Sequence, residues 1–191
     1  IPTPLRLSAK LPPLVADVFE IRGVSNQMLG TISGKLVYGS GSMPLSMAAD
    51  NNVAEGDSSG TGWVGSASLP PGIDGVGTAA IVATDTYGQR DEFVGTLTID
   101  TTPPGTPTIT ATYTATNGWK VSGTATDADK VRLWVNNKPY GTTTPTATGA
   151  FTFTIGTVAA TTTVWAMSID RTGNRTPSEP INIPTALRLS A

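Results

Sequence analysis

The chain has 191 residues, which suits one large domain or two domains of about 90–100 residues. Its net charge of −2 comes without a basic stripe, so nucleic-acid binding is not predicted, and no apolar run is long enough to span a membrane. The chain contains no Cys and no His, which excludes disulfides, thiolate zinc sites and every catalytic scheme that needs a histidine.

The first half of the chain predicts five strands, with one long polar segment between the second and the third. Short apolar runs bounded by Gly, Pro or Asp are typical of strands joined by turns. The predicted strands cover residues 15–23, 34–40, 62–70, 77–85 and 92–100. Residues 47–62 read MAADNNVAEGDSSGTG, and we interpret this polar segment as a long exposed loop.

A proline-rich segment, DTTPPGTPT at residues 100–108, separates the two halves. Two adjacent prolines and a third nearby interrupt regular structure and favour a stiff, extended connector. We therefore predict a first domain at residues 1–100, a linker at 101–106 and a second domain at 107–191.

The second half alternates apolar and polar residues almost throughout. The predicted strands cover residues 107–115, 118–125, 130–137, 149–156 and 161–170. Period-two alternation with regularly spaced turns is typical of a β-sandwich, and no segment has a helical period of useful length. The sequence VNNKPYG predicts a hairpin turn at Asn136 and Asn137.

The two halves end in a similar pattern, namely a strand that finishes in Asp, a turn that contains Gly, and a further strand. The aligned pairs are Asp85 with Asp170, Gly88 with Gly173 and Arg90 with Arg175. Two related domains in tandem are the simplest explanation.

Four segments carry a resemblance to a known family, namely VWAMSIDRTGNRTPSEPINI, LTIDTTPPGTPTI, VSGTATDADKVRLWVNN and GAFTFTI. They resemble the bacterial Ig-like (Big) domains that occur in tandem in large surface adhesins. The resemblance covers residues 100–183 well and residues 77–100 roughly, and it is weak over residues 10–75. It implies an all-β fold of two tandem Ig-like β-sandwich domains joined by a Pro-rich linker, the first of them divergent.

The resemblance also implies a function. It implies that the chain is a non-catalytic, extracellular spacer of a bacterial cell-surface adhesin. Its expected partners are the neighbouring Ig-like repeats of the same chain. A host or surface glycan or protein is a further expected partner. The alternative is a carbohydrate- or protein-binding β-sandwich module of a secreted enzyme or of a phage tail protein.

Acidic residues concentrate at the predicted turns, and two interpretations remain open for them. In the adhesins that the chain resembles, Ca²⁺ often lies at the junction between domains, which implies Asp100 in the linker motif as a ligand. By position, Asp85 and the turn residues Asp127 and Asp129 would approach the same junction. Ca²⁺ needs six to eight oxygen ligands, and the other interpretation is that each carboxylate simply caps its own turn.

Aromatic residues provide the candidates for ligand contact. Trp119, Trp134 and Trp165 lie inside strand patterns, where a large aromatic normally fills the core, although Trp134 shares a strand face with Arg132. Trp63 and Tyr140, each beside a glycine, are the better candidates for exposed, ligand-binding positions.

The chain begins with IPTPLRLSA and ends with IPTALRLSA, at residues 1–9 and 183–191. Eight of the nine positions match, which chance does not explain. Either the chain spans one repeat of 182 residues and the start of the next, or the duplication is artificial. The second junction lacks the DTTPP motif, so we expect two alternating kinds of linker.

Overall fold

The structure is a computed structural model of the chain, and it describes residues 3–50, 60–158 and 160–185. By its internal contacts the chain divides into two compact units, with the boundary between Thr102 and Pro103. The described residues form strands and turns with no helix, which confirms the all-β prediction. Accordingly, this part of the chain contains no helix of the length and apolarity needed to cross a membrane.

The described part of the first unit forms nine strands in two sheets. The strands are β1 (Leu7–Lys10), β2 (Leu14–Val15), β3 (Val18–Ser25), β4 (Leu29–Tyr38), β5 (Gly41–Pro44), β6 (Ser46–Ala49), β7 (Thr61–Ser68), β8 (Asp74–Asp85) and β9 (Arg90–Asp100). One sheet has the order β1-β3-β7-β6 and the other β2-β9-β8-β4-β5. Neighbouring strands are antiparallel, except that β2 pairs with β9 in parallel.

The core of the first unit lies between these two sheets. Along β3 and β8 alternate residues are buried, as expected where one face of a strand meets the core and the other does not. The largest fully buried side chains are Phe19, Ile21, Leu36, Trp63, Ile81 and Ile99. The apolar alternation in the sequence therefore forms one continuous cluster in this unit.

The described part of the second unit forms eight strands, also in two sheets. The strands are β10 (Thr108–Thr114), β11 (Gly118–Thr124), β12 (Lys130–Val135), β13 (Lys138–Thr143), β14 (Ala150–Gly156), β15 (Thr162–Ile169), β16 (Arg175–Pro177) and β17 (Ile181–Ile183). One sheet has the order β10-β11-β14, and the other has the order β13-β12-β15, with β16 and β17 both paired to β15.

The core of the second unit is built by the same alternation. Val131 and Leu133 of β12 and Val164 and Ala166 of β15 are fully buried, and they pack in one cluster with residues of the facing sheet. The predicted hairpin between β12 and β13 is confirmed. Asn136 and Asn137 adopt φ angles of 48° and 60°, the left-handed pair that a two-residue type I′ turn requires.

The predicted polar loop at residues 47–62 is only partly a loop. Its first residues belong to β6 and its last to β7, which pair with each other. Residues 51–59 lie outside the described residues. Where β6 ends, the buried carboxylate of Asp50 accepts a hydrogen bond from Arg22, and hydrogen bonding to Glu20, with a further contribution from Asp50, raises the pKa of Arg22.

Candidate functional site

The first residues of the linker are part of the first unit. Thr101 is buried, and its hydroxyl oxygen accepts the Ile73 N–H at 2.7 Å and lies 3.1 Å from the carbonyls of Pro70 and Ile73. The Asp74 carboxylate accepts the Thr101 N–H at 3.2 Å and the Thr102 hydroxyl at 2.7 Å. These contacts fix residues 101 and 102 to the end of the first sandwich.

The next linker residues are held in the same way by the second unit. The Pro104 carbonyl accepts the Thr176 hydroxyl at 2.6 Å, and the Gly105 carbonyl accepts the hydroxyl of the fully buried Ser168 at 2.9 Å. The Gly105 N–H donates to the Thr126 carbonyl at 3.2 Å.

A single residue, Pro103, lies between these two anchored stretches. The six residues at 101–106 are therefore not a free connector, because Thr102 is bonded to one unit and Pro104 to the other. The pyrrolidine ring holds the φ angle of Pro103 near −65°.

The four predicted calcium-binding aspartates do not share one end of a unit. Asp100 is the last residue of β9 and pairs with Asp74, the first residue of β8. Asp85 is the last residue of the same strand, so about eleven residues, roughly 36 Å, separate it from this end. The expectation that Asp85 approaches the same junction as Asp100 is wrong, and Asp74, which the sequence analysis missed, is the carboxylate beside Asp100.

Asp85 instead caps the turn between β8 and β9. Its Oδ1 accepts the N–H groups of Tyr87 and Gln89, each at 2.8 Å. Its side chain is 4% exposed, and its Oδ2 is buried with no hydrogen-bond partner among the described residues. The alternative interpretation, a carboxylate that caps its own turn, describes this residue.

The aligned residue of the second unit, Asp170, makes the same turn with one difference. Its Oδ1 accepts the N–H groups of Thr172, Gly173 and Asn174 at 2.7–2.9 Å. Its Oδ2 accepts the side-chain amide of Asn174 at 2.8 Å. The two turns are thus equivalent in backbone geometry, and only the second one satisfies both carboxylate oxygens.

Asp127 and Asp129 occupy the turn between β11 and β12. Asp127 is exposed with a φ angle of 58°, and Asp129 is exposed and lies 3.7 Å from the Lys130 ammonium. Within the described ranges, no three Asp, Glu, His or Cys side chains are grouped so that they could hold a metal ion. A calcium ion at Asp100, Asp127 or Asp129 would need carbonyl and hydroxyl oxygens as most of its ligands, and it stays a prediction.

The expectation of an exposed Trp63 is wrong. Trp63 is 1% exposed and belongs to the core of the first unit. Its indole fills the space left by Gly23 on the neighbouring strand β3, where a Cβ atom would collide with the ring. In this position Trp63 is inaccessible to a ligand, and its role is packing.

Tyr140 is exposed, as expected, with 48% of its surface accessible. Its hydroxyl donates to the Thr154 carbonyl at 2.7 Å. The ring lines a shallow cleft of about 360 Å³ together with Arg132, Pro139 and Thr142. The structure therefore leaves Tyr140 available for contact, and ligand binding there stays a prediction.

The second unit also carries a tryptophan pair, of which the sequence analysis placed Trp134 on one face with Arg132 and expected Trp165 in the core. Trp134 and Trp165 are direct cross-strand neighbours and stack with ring centroids 5.0 Å apart and planes 5° apart. They lie on the outer face of the sheet, because Leu133, Val164 and Ala166 alternate with them and occupy the core. The expectation that Trp165 fills the core is wrong, whereas Trp119 does pack against the core cluster.

No family model matches this chain, and no curated protein matches it. Among solved structures, the fibronectin(III)-like modules of Clostridium thermocellum CbhA align over 94% of this chain and 94% of theirs, with 14% identity and a TM-score of 0.50. This likeness shows the fold. Both units are Ig-like or fibronectin type III-like β-sandwiches, as predicted, while membership of the bacterial Ig-like family stays a prediction.

Two adhesin structures also align with the chain. A 1.5-MDa bacterial ice-binding adhesin aligns over 96% of this chain and 65% of that chain, with 16% identity and a TM-score of 0.41. The tetra-tandem repeat in the extending region of a large adhesion protein aligns over 95% of this chain and 49% of that chain, with 20% identity and a TM-score of 0.38.

Proposed function

We propose that the chain is a non-catalytic spacer of a bacterial cell-surface protein, which sets the distance between the segments on either side of it. The observation that carries the proposal is the short connection between the two units at Pro103. Thr102 is hydrogen-bonded to the first unit and Pro104 to the second, so a single proline, with one backbone dihedral fixed, connects them. A spacer needs this limited freedom, because a loose linker would let the units fold back on each other.

The repeated ends support a further part of the proposal, that units of these two kinds alternate in a longer array. The first copy supplies Leu5, which is 4% exposed, and β1, which pairs with β3. The second copy begins at Ile183, which is fully buried as the last residue of β17, and residues 186–191 lie outside the described residues. Ile183 thus ends the last strand of the second unit, and the sequence that follows it repeats the sequence at the start of the first unit.

The experiment measures the distance between the two units by double electron–electron resonance. The chain has no Cys, so spin labels at Ser33→Cys and Thr112→Cys, both exposed, report only the distance between the two units. The spacer role predicts a narrow distance distribution that broadens when Pro103 and Pro104 are replaced by glycine. An unbroadened distribution in the glycine variant, or a wide one in the parent chain, would refute the spacer role.

A further inference from the structure

The outer face of one sheet in the second unit is both basic and aromatic. The register of β12, β15 and β16 places Lys130, Ile169 and Arg175 in one row across the sheet. The next rows contain Arg132 beside Met167, and then Trp134 beside Trp165. We call this surface the basic–aromatic face and define it by Lys130, Arg132, Arg175, Trp134, Trp165 and Met167.

The charges of this face have little compensation. Lys130 lies 3.7 Å from Asp129, but both side chains are about half exposed, so the pair contributes little. Arg132 and Arg175 form no ion pair with any described residue, and the Arg132 Nε donates only to the Thr142 hydroxyl at 3.3 Å. Two guanidinium groups are therefore free to bind an anion.

The unit that carries this face is basic although the chain is acidic. By sequence, residues 1–102 contain five Lys and Arg against ten Asp and Glu, and residues 103–191 contain seven against four. The net charge of −2 is thus the sum of −5 and +3. An anionic ligand is accordingly attracted to the second unit and repelled by the first.

The aromatic part of the face borders an uncharged cleft of about 310 Å³. Trp165, Pro177 and Pro180 form its apolar walls, and Asn137 and Thr163 supply polar groups. The turn that carries Asn137 is fixed to β15, since the Asn136 side chain accepts the Thr163 N–H at 3.0 Å and the Asn136 N–H donates to the Thr163 carbonyl. The cleft is therefore rigid on its polar side.

We propose that the basic–aromatic face binds an anionic polysaccharide. The apolar face of a sugar ring packs on an indole, its hydroxyl groups exchange hydrogen bonds with amide and hydroxyl side chains, and its carboxylate or sulfate groups pair with arginine. Neighbouring strands are about 4.8 Å apart, so the backbones of Lys130 and Arg175 are roughly 10 Å apart across β15. A ligand must be extended to reach these cations and the tryptophan stack together.

The spacing of these cations argues against double-stranded DNA as the ligand. Double-stranded DNA carries a charge every ~1.7 Å, and proteins that bind it have a long basic stripe, whereas this face has three spaced cations beside a neutral cleft. The proposal goes beyond the spacer role. If the face binds no polysaccharide, the argument for a spacer, which rests on the connection at Pro103, is unaffected.

The test is isothermal titration of the full chain with alginate oligomers, which are polyuronates, at low and at physiological salt. The variant Arg132→Glu/Arg175→Glu should weaken binding at least about tenfold at low salt and should reduce its salt dependence. The matched control is Lys120→Glu, an exposed cation on the opposite sheet, which should change the affinity less than about twofold. Melting curves establish that each variant is folded.

A second variant separates stacking from charge. Trp165→Leu should lower the affinity at every salt concentration while the dependence of affinity on salt stays as in the parent chain. Neutral dextran should bind at least about tenfold more weakly than alginate.

Three results would overturn the proposal. Equal losses in the arginine and Lys120 variants would show non-specific attraction, and single-stranded DNA that binds as tightly as alginate would show a general polyanion surface. Self-association at low salt that the arginine variant abolishes, without alginate binding, would make the acidic unit of a second copy the partner.

Discussion

Replacing Gln89 by Asn should stabilise the first unit, because it would supply the donor that Asp85 lacks. In the second unit, the Asn174 side chain donates to the Asp170 Oδ2 at 2.8 Å. In the first, the Gln89 side chain donates to the Thr3 carbonyl at 3.2 Å instead, and the Asp85 Oδ2 is left buried without a partner among the described residues.

The magnitude follows from the two contacts exchanged. A buried polar atom without a partner costs about 1–3 kcal/mol, and the exposed bond to Thr3 that is lost contributes about 0.5 kcal/mol. The free energy of unfolding of the first unit should therefore rise by about 1 kcal/mol, which for a unit of this size raises its melting temperature by about 4–8 °C.

The assay is differential scanning calorimetry, in which the two units are fitted as separate transitions. Gln89→Ala is the control, since it removes the bond to Thr3 without adding a donor, and it should be neutral or slightly destabilising. Asn174→Gln is the reverse change and should destabilise only the second unit. An Asn at position 89 that lowers the melting temperature, or an Asn174→Gln variant that melts like the parent chain, would refute the reasoning.

Three further results are expected. Trp63→Ala should destabilise the first unit by about 3–5 kcal/mol in urea unfolding, since it empties a fully buried position; an unchanged midpoint would contradict core burial. Thr101→Val should cost about 1–3 kcal/mol, because it leaves the Ile73 N–H without its hydroxyl acceptor; a neutral effect would show that the linker is not anchored there. If calcium binds, excess EDTA should lower the melting temperature of the parent chain and not of Asp100→Ala; identical curves would contradict the calcium prediction.

The strand pattern could be predicted from the sequence because alternation determines which residues share a face. It does not determine which of the two faces is buried. In β12 and β15 the aromatic residues lie on the solvent side, and the smaller Val131, Val164 and Ala166 fill the core. The charge of Arg132 on the same face as Trp134 was the signal that indicated this orientation.

The two wrong site predictions have specific physical causes. Trp63 is flanked by glycine, which suggested exposure, but Gly23 on the paired strand makes room for a buried indole. Asp85 and Asp100 end two strands that are antiparallel, so a hairpin between residues 77–85 and 92–100 already requires them to lie at opposite ends. The pairing direction was the available signal, and it was not applied to the aspartates.

The hydrogen bonds that anchor the linker could not be predicted, because each joins two residues that are far apart in the sequence. Thr101 contacts Ile73, and Pro104 contacts Thr176, separations of 28 and 72 residues. The proline content alone indicated stiffness, and the side-chain hydrogen bonds show where the connector begins and ends.

The central claim is that only Pro103 connects two anchored units. The most direct measurement is ¹⁵N NMR relaxation of the uniformly labelled chain, from which a rotational correlation time is obtained for each unit. If the connection at Pro103 restricts motion between the units, both units should give the same long rotational correlation time, that of a 191-residue particle. Two different, shorter values, each typical of an isolated domain of about half that size, would contradict the claim.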